Sequence, residues 1–190
     1  MTDYYGTPEA DVISDFEGGD DLFVGYDGDD VFVGGGGDDL LIGGAGNDHL
    51  VGGAGNDVIR GGTGDDYLAG GHGDDILYGL QGDNTLNGST GNDVLVAGSG
   101  NNFMVGGEGD DVFVFTDNYD GHGEAKVADF TIGEDLIRIN SCSVNDFSDL
   151  CFSYDNAGNA IFTDGADLTV KLVGITETDI TTHGADLFVF

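Results

Sequence analysis

Apolar residues recur with a period of nine along half of this chain. Residues 16–114 divide without a gap into eleven blocks of nine, such as Gly34–Ile42 (GGGGDDLLI) and Gly106–Val114 (GGEGDDVFV). The eighth position of every block is apolar, whereas the first six positions are mostly glycine and polar residues. A weaker block, Gly6–Ser14, precedes them and is offset by the single residue Asp15. The block of nine is therefore the expected structural unit of this region.

The nine-residue block predicts a short strand between turns. Its first six positions are expected to form a turn, and the last three a strand whose middle side chain points inward. Such a strand is too short to turn back and pair with its neighbour, so two consecutive blocks are expected to form one coil. Stacked coils then pair in parallel, about 4.7–4.9 Å apart. The sequence therefore predicts an all-β fold, a right-handed parallel β-roll of 18-residue coils.

Glycine and acidic residues occupy fixed positions in the block. Position 4 is glycine in all eleven blocks, which suits a turn that needs φ > 0. Position 5 is Asp or Asn in every block, and position 6 is Asp in nine blocks and Asn in two, at Asn84 and Asn102. One Gly-Asp-Asp sequence is typical of a solvated turn, but eleven related copies in register indicate a repeated site.

The composition requires a counterion. The sequence carries 37 Asp and Glu against four Lys and Arg, and its formal net charge is −33. This charge opposes compaction by self-repulsion, although a hydrophobic fraction of 39% favours a folded chain. The four basic residues are scattered, so nucleic acid and anionic membranes are not expected partners. No apolar run approaches the roughly 18 residues that span a bilayer, so membrane insertion is not expected either.

Stacking is expected to place the acidic turns directly above one another. Position-6 carboxylates two blocks apart would then face each other together with glycine carbonyls, and such like charges need a cation. Several oxygen ligands are typical of Ca²⁺, whereas Mg²⁺ demands stricter octahedral geometry. Zinc would need His or Cys, and neither recurs at a fixed position of the block. We therefore predict calcium as the cofactor, with about seven or eight ions.

The predicted calcium ligands are the position-6 aspartates, glycines at positions 2 and 4, and position-5 side chains. The aspartates are Asp21, Asp30, Asp39, Asp48, Asp57, Asp66, Asp75, Asp93 and Asp111. The glycines are Gly35, Gly37, Gly44, Gly46, Gly53, Gly55, Gly62, Gly64, Gly71 and Gly73. The position-5 residues are Asp29, Asp38, Asn47, Asn56, Asp65 and Asp74. Position-6 residues form two columns, and the one with Asn84 and Asn102 is expected to hold about two or three ions against about five in the other.

The block pattern GGxGxDxUx resembles the repeats-in-toxin (RTX) nonapeptide, a Ca²⁺-binding repeat of β-helical folds. This resemblance implies calcium held between a turn and the turn two blocks later, export by a type I secretion apparatus, and folding outside the cell. Residues Val127–Ile139 look like the DFxxGxDxI element that follows such rolls. Ala185–Phe190 is similar to the acidic and apolar tail of type I secretion signals, although an edge strand would show the same residues.

Two blocks and two cysteines depart from the family pattern. The blocks are Gly79–Asn87 and Ala97–Val105, whose sixth residues are asparagine. Cys142 and Cys151 are nine residues apart and could form a disulfide in an oxidising compartment or remain two thiols.

The residues after the repeats are expected to cover the open end of the roll. An exposed last rung is an aggregation hazard that repeat proteins blunt with a capping element. Residues 150–154, 160–163 and 168–173 are predicted to be antiparallel strands, and Asp146–Leu150 a short helical turn. The predicted organisation is a lead-in with one degenerate repeat at 1–15, the roll at 16–114, and a capping and secretion region at 115–190.

No catalytic motif is found in the sequence. HExxH, GxSxG and GxxxxGK are absent, and aspartates that recur in every block are better explained as metal ligands than as acid–base catalysts. The N-terminus has no basic region followed by an apolar core, so no cleaved signal peptide is expected. We therefore predict a secreted, extracellular module that has no enzyme activity of its own and folds on Ca²⁺ binding.

Such a module would support the secretion and stability of itself or of a larger protein, with an upstream domain as a further expected partner. Two other hypotheses stay open. One is a polysaccharide-binding accessory module, like the RTX modules of alginate epimerases. The other is a structural or adhesin module of the cell surface.

Overall fold

Nineteen strands, one α-helix and one 3₁₀ turn lie in the residues that the structure describes. It is a computed structural model that describes residues 2–15, 18–116, 123–140, 144–164 and 168–190. The strands are β1 (Asp3–Tyr5), β2 (Val12–Ser14), β3 (Leu22–Asp27), β4 (Val31–Gly36), β5 (Leu40–Ala45), β6 (His49–Ala54), β7 (Val58–Thr63), β8 (Tyr67–His72), β9 (Ile76–Gln81), β10 (Thr85–Thr90), β11 (Val94–Val96), β12 (Phe103–Glu108), β13 (Val112–Thr116), β14 (Glu124–Val127), β15 (Leu136–Asn140), β16 (Cys151–Tyr154), β17 (Ala160–Thr163), β18 (Thr169–Leu172) and β19 (Phe188–Val189). The α-helix, α1, is Glu177–Leu187, and the 3₁₀ turn is Phe147–Asp149.

The strands alternate between two sheets. The odd-numbered strands up to β15, together with β19, form one sheet, in the order β1-β3-β5-β7-β9-β11-β13-β15-β19. The even-numbered strands and β17 form the other, in the order β2-β4-β6-β8-β10-β12-β14-β18-β17-β16. Neighbouring strands in the roll are parallel and pair residues 18 apart, as Leu40 pairs with Val58. At the N-terminal end Val12 pairs with Val31, a spacing of 19, because Asp15 adds one residue to that coil. The predicted all-β parallel roll of 18-residue coils is therefore confirmed.

Most strands of the roll are longer than predicted. The expected length was three residues, but β5 covers six, and so do β3, β4, β6–β10 and β12. The prediction was wrong because it assigned the glycine-rich positions 1 to 3 to the turn. These positions continue the ladder, as Gly44 pairs with Gly62, since backbone hydrogen bonding needs no particular side chain. The turn is therefore reduced to positions 4 to 6.

The core of the roll is built from the position-8 side chains. All eleven are 0% exposed: Phe23, Phe32, Leu41, Leu50, Ile59, Leu68, Leu77, Leu86, Leu95, Met104 and Phe113. Most neighbours at positions 7 and 9, such as Leu40 and Ile42, are half-buried on the outer faces of the sheets. Because successive coils pair in the same register, each buried side chain stacks on its equivalent, and the core is continuous along the roll.

Further rungs extend the roll beyond the eleven blocks. Val112 in β13 pairs with Leu136 in β15, and Phe103 in β12 pairs with Lys126 in β14. In both pairs the partners lie farther apart in the sequence than paired residues of the repeats do, so these two coils are longer. Parallel pairing therefore continues after the nonapeptide pattern has ended.

A small antiparallel sheet lies at the C-terminal end. Strands β16, β17 and β18 pair in antiparallel fashion as predicted, and β18 also pairs in parallel with β14 of the roll. The ring of Phe162 lies 5.1 Å from that of Phe188 and 6.2 Å from that of Phe115, between centroids. An aromatic cluster thus continues the core past the last repeat. The short helical turn predicted within Asp146–Leu150 is confirmed at Phe147–Asp149.

Helix α1 was not predicted. Its N-terminus has a capping box between Thr176 and Asp179, and Ile180, Gly184 and Leu187 are its buried residues. Residues 185–187 of the tail belong to this helix, whereas Phe188–Val189 forms strand β19 against β15. The edge-strand interpretation of the tail is therefore correct for its last residues, and its similarity to a secretion signal stays a prediction. None of the helices in the described part of the chain has the length and apolar character to span a membrane.

The structure does not decide whether Cys142 and Cys151 form a disulfide. Cys151 is an exposed residue of β16, and Cys142 lies outside the described residues. Both alternatives, a disulfide and two thiols, therefore stay open.

Candidate calcium-binding sites

The position-6 side chains stack in two columns, one beside each sheet. We name them the odd column, which precedes the odd-numbered strands, and the even column, which precedes the even-numbered strands. Their members are Asp21, Asp39, Asp57, Asp75, Asp93 and Asp111 in the odd column, and Asp11, Asp30, Asp48, Asp66, Asn84 and Asn102 in the even column. Within each column the backbone N–H of one residue donates to Oδ1 of the residue one coil later. The N···O distance is 2.8 Å from Asp39 to Asp57 and 2.9 Å from Asp48 to Asp66.

In eight of these ten aspartates the second carboxylate oxygen is buried and has no hydrogen-bond partner among the described residues. This holds for Oδ2 of eight residues: Asp30, Asp39, Asp48, Asp57, Asp66, Asp75, Asp93 and Asp111. All eight side chains are at most 3% exposed. An unpaired buried oxygen costs about 1–3 kcal/mol, and more when it carries charge. Eight such atoms in register point to a missing partner that is positively charged.

A glycine without a side chain borders each of these oxygens. A Cβ placed on Gly43, at position 1 of its block, would lie 2.1 Å from Oδ2 of Asp48 and 2.8 Å from the carbonyl oxygen of Gly61 in the next coil. The corresponding distances at Gly25 are 2.1 Å to Oδ2 of Asp30 and 2.3 Å to the carbonyl oxygen of Gly43. A carboxylate oxygen and a carbonyl oxygen of the following coil thus face the same small space.

These donors fit a hard cation. The donors named are all oxygens, and part of them come from the backbone, which is the ligand set that Ca²⁺ accepts. No group of three or more His, Cys, Asp or Glu side chains converges within the described ranges, so a bound ion would depend on backbone oxygens as well as carboxylates. Bound calcium would supply the positive charge that the unpaired Oδ2 atoms lack.

Burial raises the pKa of the position-6 carboxyls. Desolvation by burial is the largest cause throughout. A neighbouring carboxylate adds to it, from the same column in every case except Asp93, where it is the position-5 residue Asp74. The pKa rises to about 6 for Asp48, Asp57 and Asp93. It rises to about 7 for Asp66, Asp75 and Asp111. At neutral pH, without a cation, these groups therefore resist the ionised form that calcium requires.

The position-5 side chains lie on the surface, unlike those at position 6. They form a second ladder of hydrogen bonds that runs in the direction opposite to the position-6 ladder. In it, Oδ1 of one residue accepts the N–H of the residue one coil later. The N···O distance is 2.7 Å from Asn56 to Asp38 and 2.8 Å from Asp65 to Asn47. Asp29 and Asp74 take part in the same ladder, accepting from Asn47 and Asn92. Their predicted role as calcium ligands stays a prediction.

The predicted glycines at positions 2 and 4 lie where coils touch backbone to backbone. Gly44 and Gly46 have φ of +124° and +133°, in the region that favours glycine. A Cβ on Gly62 would lie 1.9 Å from the carbonyl oxygen of Gly44, so no side chain fits without a shift of the coil. Their carbonyls therefore face the next coil, those of position 2 from within a strand and those of position 4 from the turn, and their role as calcium ligands stays a prediction.

Two kinds of residue in the site were missed from the sequence. The position-1 glycines, such as Gly43, were not named, although glycine holds this position in nine of the eleven blocks. Asp135 was not named either, yet it extends the odd column, because its Oδ1 accepts the N–H of Asp111 at 3.0 Å. The signal was available, since Gly133-Glu134-Asp135-Leu136-Ile137 repeats the residue types of positions 4 to 8.

Comparison with known proteins agrees with this geometry. A family model described as the RTX calcium-binding nonapeptide repeat (4 copies) matches residues 17–50, 51–86 and 78–113, about half of the chain. The fold is similar to the crystal structure of the extracellular lipase LipA from Serratia marcescens, with a TM-score of 0.56 and 21% sequence identity. The similarity covers 99% of this chain and 40% of the lipase, so the chain spans about two fifths of that protein's length. A search of curated proteins found no match.

The chain belongs to the family of RTX calcium-binding nonapeptide repeat proteins. The resemblance inferred from the block pattern is therefore correct, and the β-roll is a calcium-binding repeat module.

Proposed function

We propose that this chain is an extracellular module that folds when its aspartate columns bind Ca²⁺, and that this folding supports secretion and stability. One observation carries the proposal. Eight buried Oδ2 atoms, at the same position of eight blocks, lack a hydrogen-bond partner in the described chain and lie beside glycines of the repeat. Because each ion would bring charge and order to a turn, binding free energy becomes folding free energy.

The same observation supports a ligand set and an ion count. We assign one ion to each unpaired Oδ2, which gives five ions in the odd column, at Asp39, Asp57, Asp75, Asp93 and Asp111. The even column receives three, at Asp30, Asp48 and Asp66. Carbonyl oxygens of turn glycines complete each site.

Calcium binding to the full chain tests the proposal. Isothermal titration after removal of bound metal is expected to give about eight ions per chain, with Mg²⁺ binding weakly. Asp57→Asn should lower the count by about one, because an amide keeps one oxygen and loses the charge. Asp38→Asn, an equal change at exposed position 5, tests the position-5 prediction, since an unchanged count removes Asp38 from the ligand set. A wild-type chain that binds no calcium would overturn the proposed function.

We further propose that residues 115–190 act as the cap of the roll. Deleting them is expected to raise the calcium concentration at the folding midpoint several-fold and to cause aggregation, because the last repeat rung would be exposed. In the full chain, Phe162→Ala should destabilise the calcium-bound state by about 3–5 kcal/mol, since a fully buried ring is lost. Phe190→Ala is the matched control, because this ring is 42% exposed. Circular dichroism titrations and light scattering measure both effects, and an unchanged midpoint after the deletion would contradict the cap.

Export by a type I apparatus and the absence of catalysis by this chain complete the proposal. Export is supported by the family and by the extracellular location of the similar lipase. The absence of catalysis rests on the sequence alone, in which no catalytic motif occurs. The polysaccharide-binding and adhesin hypotheses stay predictions. Binding to acidic polysaccharides with and without Ca²⁺ separates the first of these from the proposed function.

A further inference from the structure

The even column changes character at its C-terminal end. Asn84 and Asn102 occupy position 6 there and are 1% and 2% exposed. Each uses its amide oxygen as the aspartates use Oδ1: Asn84 accepts the N–H of Asp66 at 2.9 Å, and Asn102 accepts that of Asn84 at 3.2 Å. The other end of each amide must then be its NH₂ group, a donor, where the aspartates have an unpaired acceptor.

The amide nitrogens donate to the backbone carbonyls of their own turns. Nδ2 of Asn84 lies 3.1 Å from the carbonyl oxygen of Gly82. Nδ2 of Asn102 lies 3.3, 3.4 and 3.2 Å from the carbonyl oxygens of Gly98, Ser99 and Gly100. Carbonyls that would be ligands for an ion in the other turns are here hydrogen-bond acceptors. These two turns therefore lack the uncompensated negative charge that the aspartate turns carry.

The block of Asn102 has also lost the space beside position 6. Position 1 is glycine in the blocks of all eight aspartates with an unpaired Oδ2, but it is Ala97 in this block. In the nine blocks with glycine at this position, a Cβ would lie 2.1–2.9 Å from the position-6 side chain, too close for a methyl group. The backbone differs accordingly. Strand β11 ends at Val96, and Gly98 lacks the positive φ that Gly71 and Gly107 adopt at the same position.

We infer that the turns of Asn84 and Asn102 are calcium-independent, held by amide-to-carbonyl hydrogen bonds in place of an ion. The roll is then asymmetric, with ions from Asp39 to Asp111 in the odd column but only from Asp30 to Asp66 in the even column. This inference rests on the proposed function, because it locates where calcium binding stops. It also gives the two turns different requirements. To bind an ion, the turn of Asn84 needs only a carboxylate, because Gly79 leaves space beside position 6. The turn of Asn102 needs both a carboxylate and that space.

Aspartate substitutions in the full chain test these requirements. Asn84→Asp is expected to bind about one calcium ion more than the wild type, because it adds a carboxylate beside Gly79. Asn102→Asp alone is expected to bind no additional ion, because the methyl group of Ala97 remains. The double variant Ala97→Gly/Asn102→Asp is expected to bind about one more ion than the wild type. Asp66→Asn, the reverse change in the same column, is the matched control and should lose about one.

Ion counts come from isothermal titration and from equilibrium dialysis, and a crystal structure of the calcium-loaded wild type gives the ion positions. An ion between Asn84 and Asn102 in that structure, or an Asn84→Asp chain that binds no more calcium than the wild type, would overturn the inference. An additional ion in Asn102→Asp alone would overturn the role of Ala97. Failure of the proposed function is distinct, since a wild type without calcium binding leaves no ions to count. The crystal structure decides the inference even where a variant does not fold.

Discussion

In chelator at pH 7, the full chain is expected to lose the parallel β-structure of its repeats and to expand. The reason lies in eight buried aspartates of the two columns, from Asp30 to Asp111, whose second oxygens have no hydrogen-bond partner within the described chain. Burial raises the pKa of six of these carboxyls to about 6 or 7, so that most of them must either bind a proton or ionise at a cost. Calcium removes that cost by pairing the charges, and chelation restores it.

The free-energy cost of ionising the buried aspartates favours unfolding over a strained metal-free roll. One pKa unit corresponds to about 1.4 kcal/mol, so ionising several such aspartates together costs on the order of 10 kcal/mol. The net stability of a domain is about 5–15 kcal/mol. A metal-free roll at neutral pH would therefore have little or no stability left. Unfolding also separates the charges of a chain whose formal net charge is −33.

Acidification in chelator is expected to act in the opposite direction. Since the pKa of these carboxyls is higher in the folded than in the unfolded state, the folded state binds more protons between pH 4 and pH 7. The free energy of unfolding of the metal-free roll should therefore rise as the pH falls from about 7 towards about 4. With calcium present the dependence reverses, because protons then compete with the ion for the same carboxylates.

Circular dichroism and small-angle X-ray scattering of one sample measure both effects. We expect low β-content and a large radius of gyration in chelator at pH 7, recovery of β-content at pH 5, and full recovery when Ca²⁺ is added at pH 7. Addition of Mg²⁺ is the control for ionic strength. Full β-content in chelator at pH 7 would show that the columns do not need the ion.

Much of this arrangement could be predicted because the sequence repeats. A single apolar residue such as Leu68 does not define a fold, but eleven apolar residues at the same position define a continuous core. The same holds for Asp48, whose role follows from the aspartates one coil before and one coil after it. Repetition supplies the tertiary information that a sequence normally lacks, so both the fold and the aspartate columns could be predicted from the sequence.

Some of the parts that were not predicted lie outside the nonapeptide repeats. Helix α1 is short and rich in Thr, Asp and Gly, and its stability comes from burying Ile180, Gly184 and Leu187. Asp135 lies after a longer coil, so its place in the odd column depends on the wider spacing that brings β15 beside β13. The position-1 glycines were overlooked for another reason. Their backbone has no positive φ, and their function is to leave space beside a carboxylate.

Gly43→Ala is expected to remove one calcium site and to destabilise the calcium-bound roll strongly. Its Cβ would lie 2.1 Å from Oδ2 of Asp48, closer than any real Cβ contact, so the carboxylate or the coil must move. The overpacking alone costs about 1–3 kcal/mol. Because the displaced carboxylate also loses its ion, the chain should bind about one ion fewer and the calcium concentration at the folding midpoint should rise. With about eight ions linked to folding, each ~1.4 kcal/mol of destabilisation raises that midpoint by about 1.3-fold.

Gly36→Ala is the matched control for this substitution. It adds the same methyl group to a glycine of the same roll, but its nearest contact would be the carbonyl oxygen of Ala54 at 3.7 Å, an ordinary van der Waals distance. Position 3 already carries alanine in the two blocks that contain Ala45 and Ala54, so the fold accepts it there. The control should therefore bind the wild-type number of ions with an unchanged midpoint. Equal midpoints for Gly43→Ala and Gly36→Ala would mean that the space beside Asp48 does not hold calcium, and the ligand set would then have to be sought among the exposed position-5 side chains.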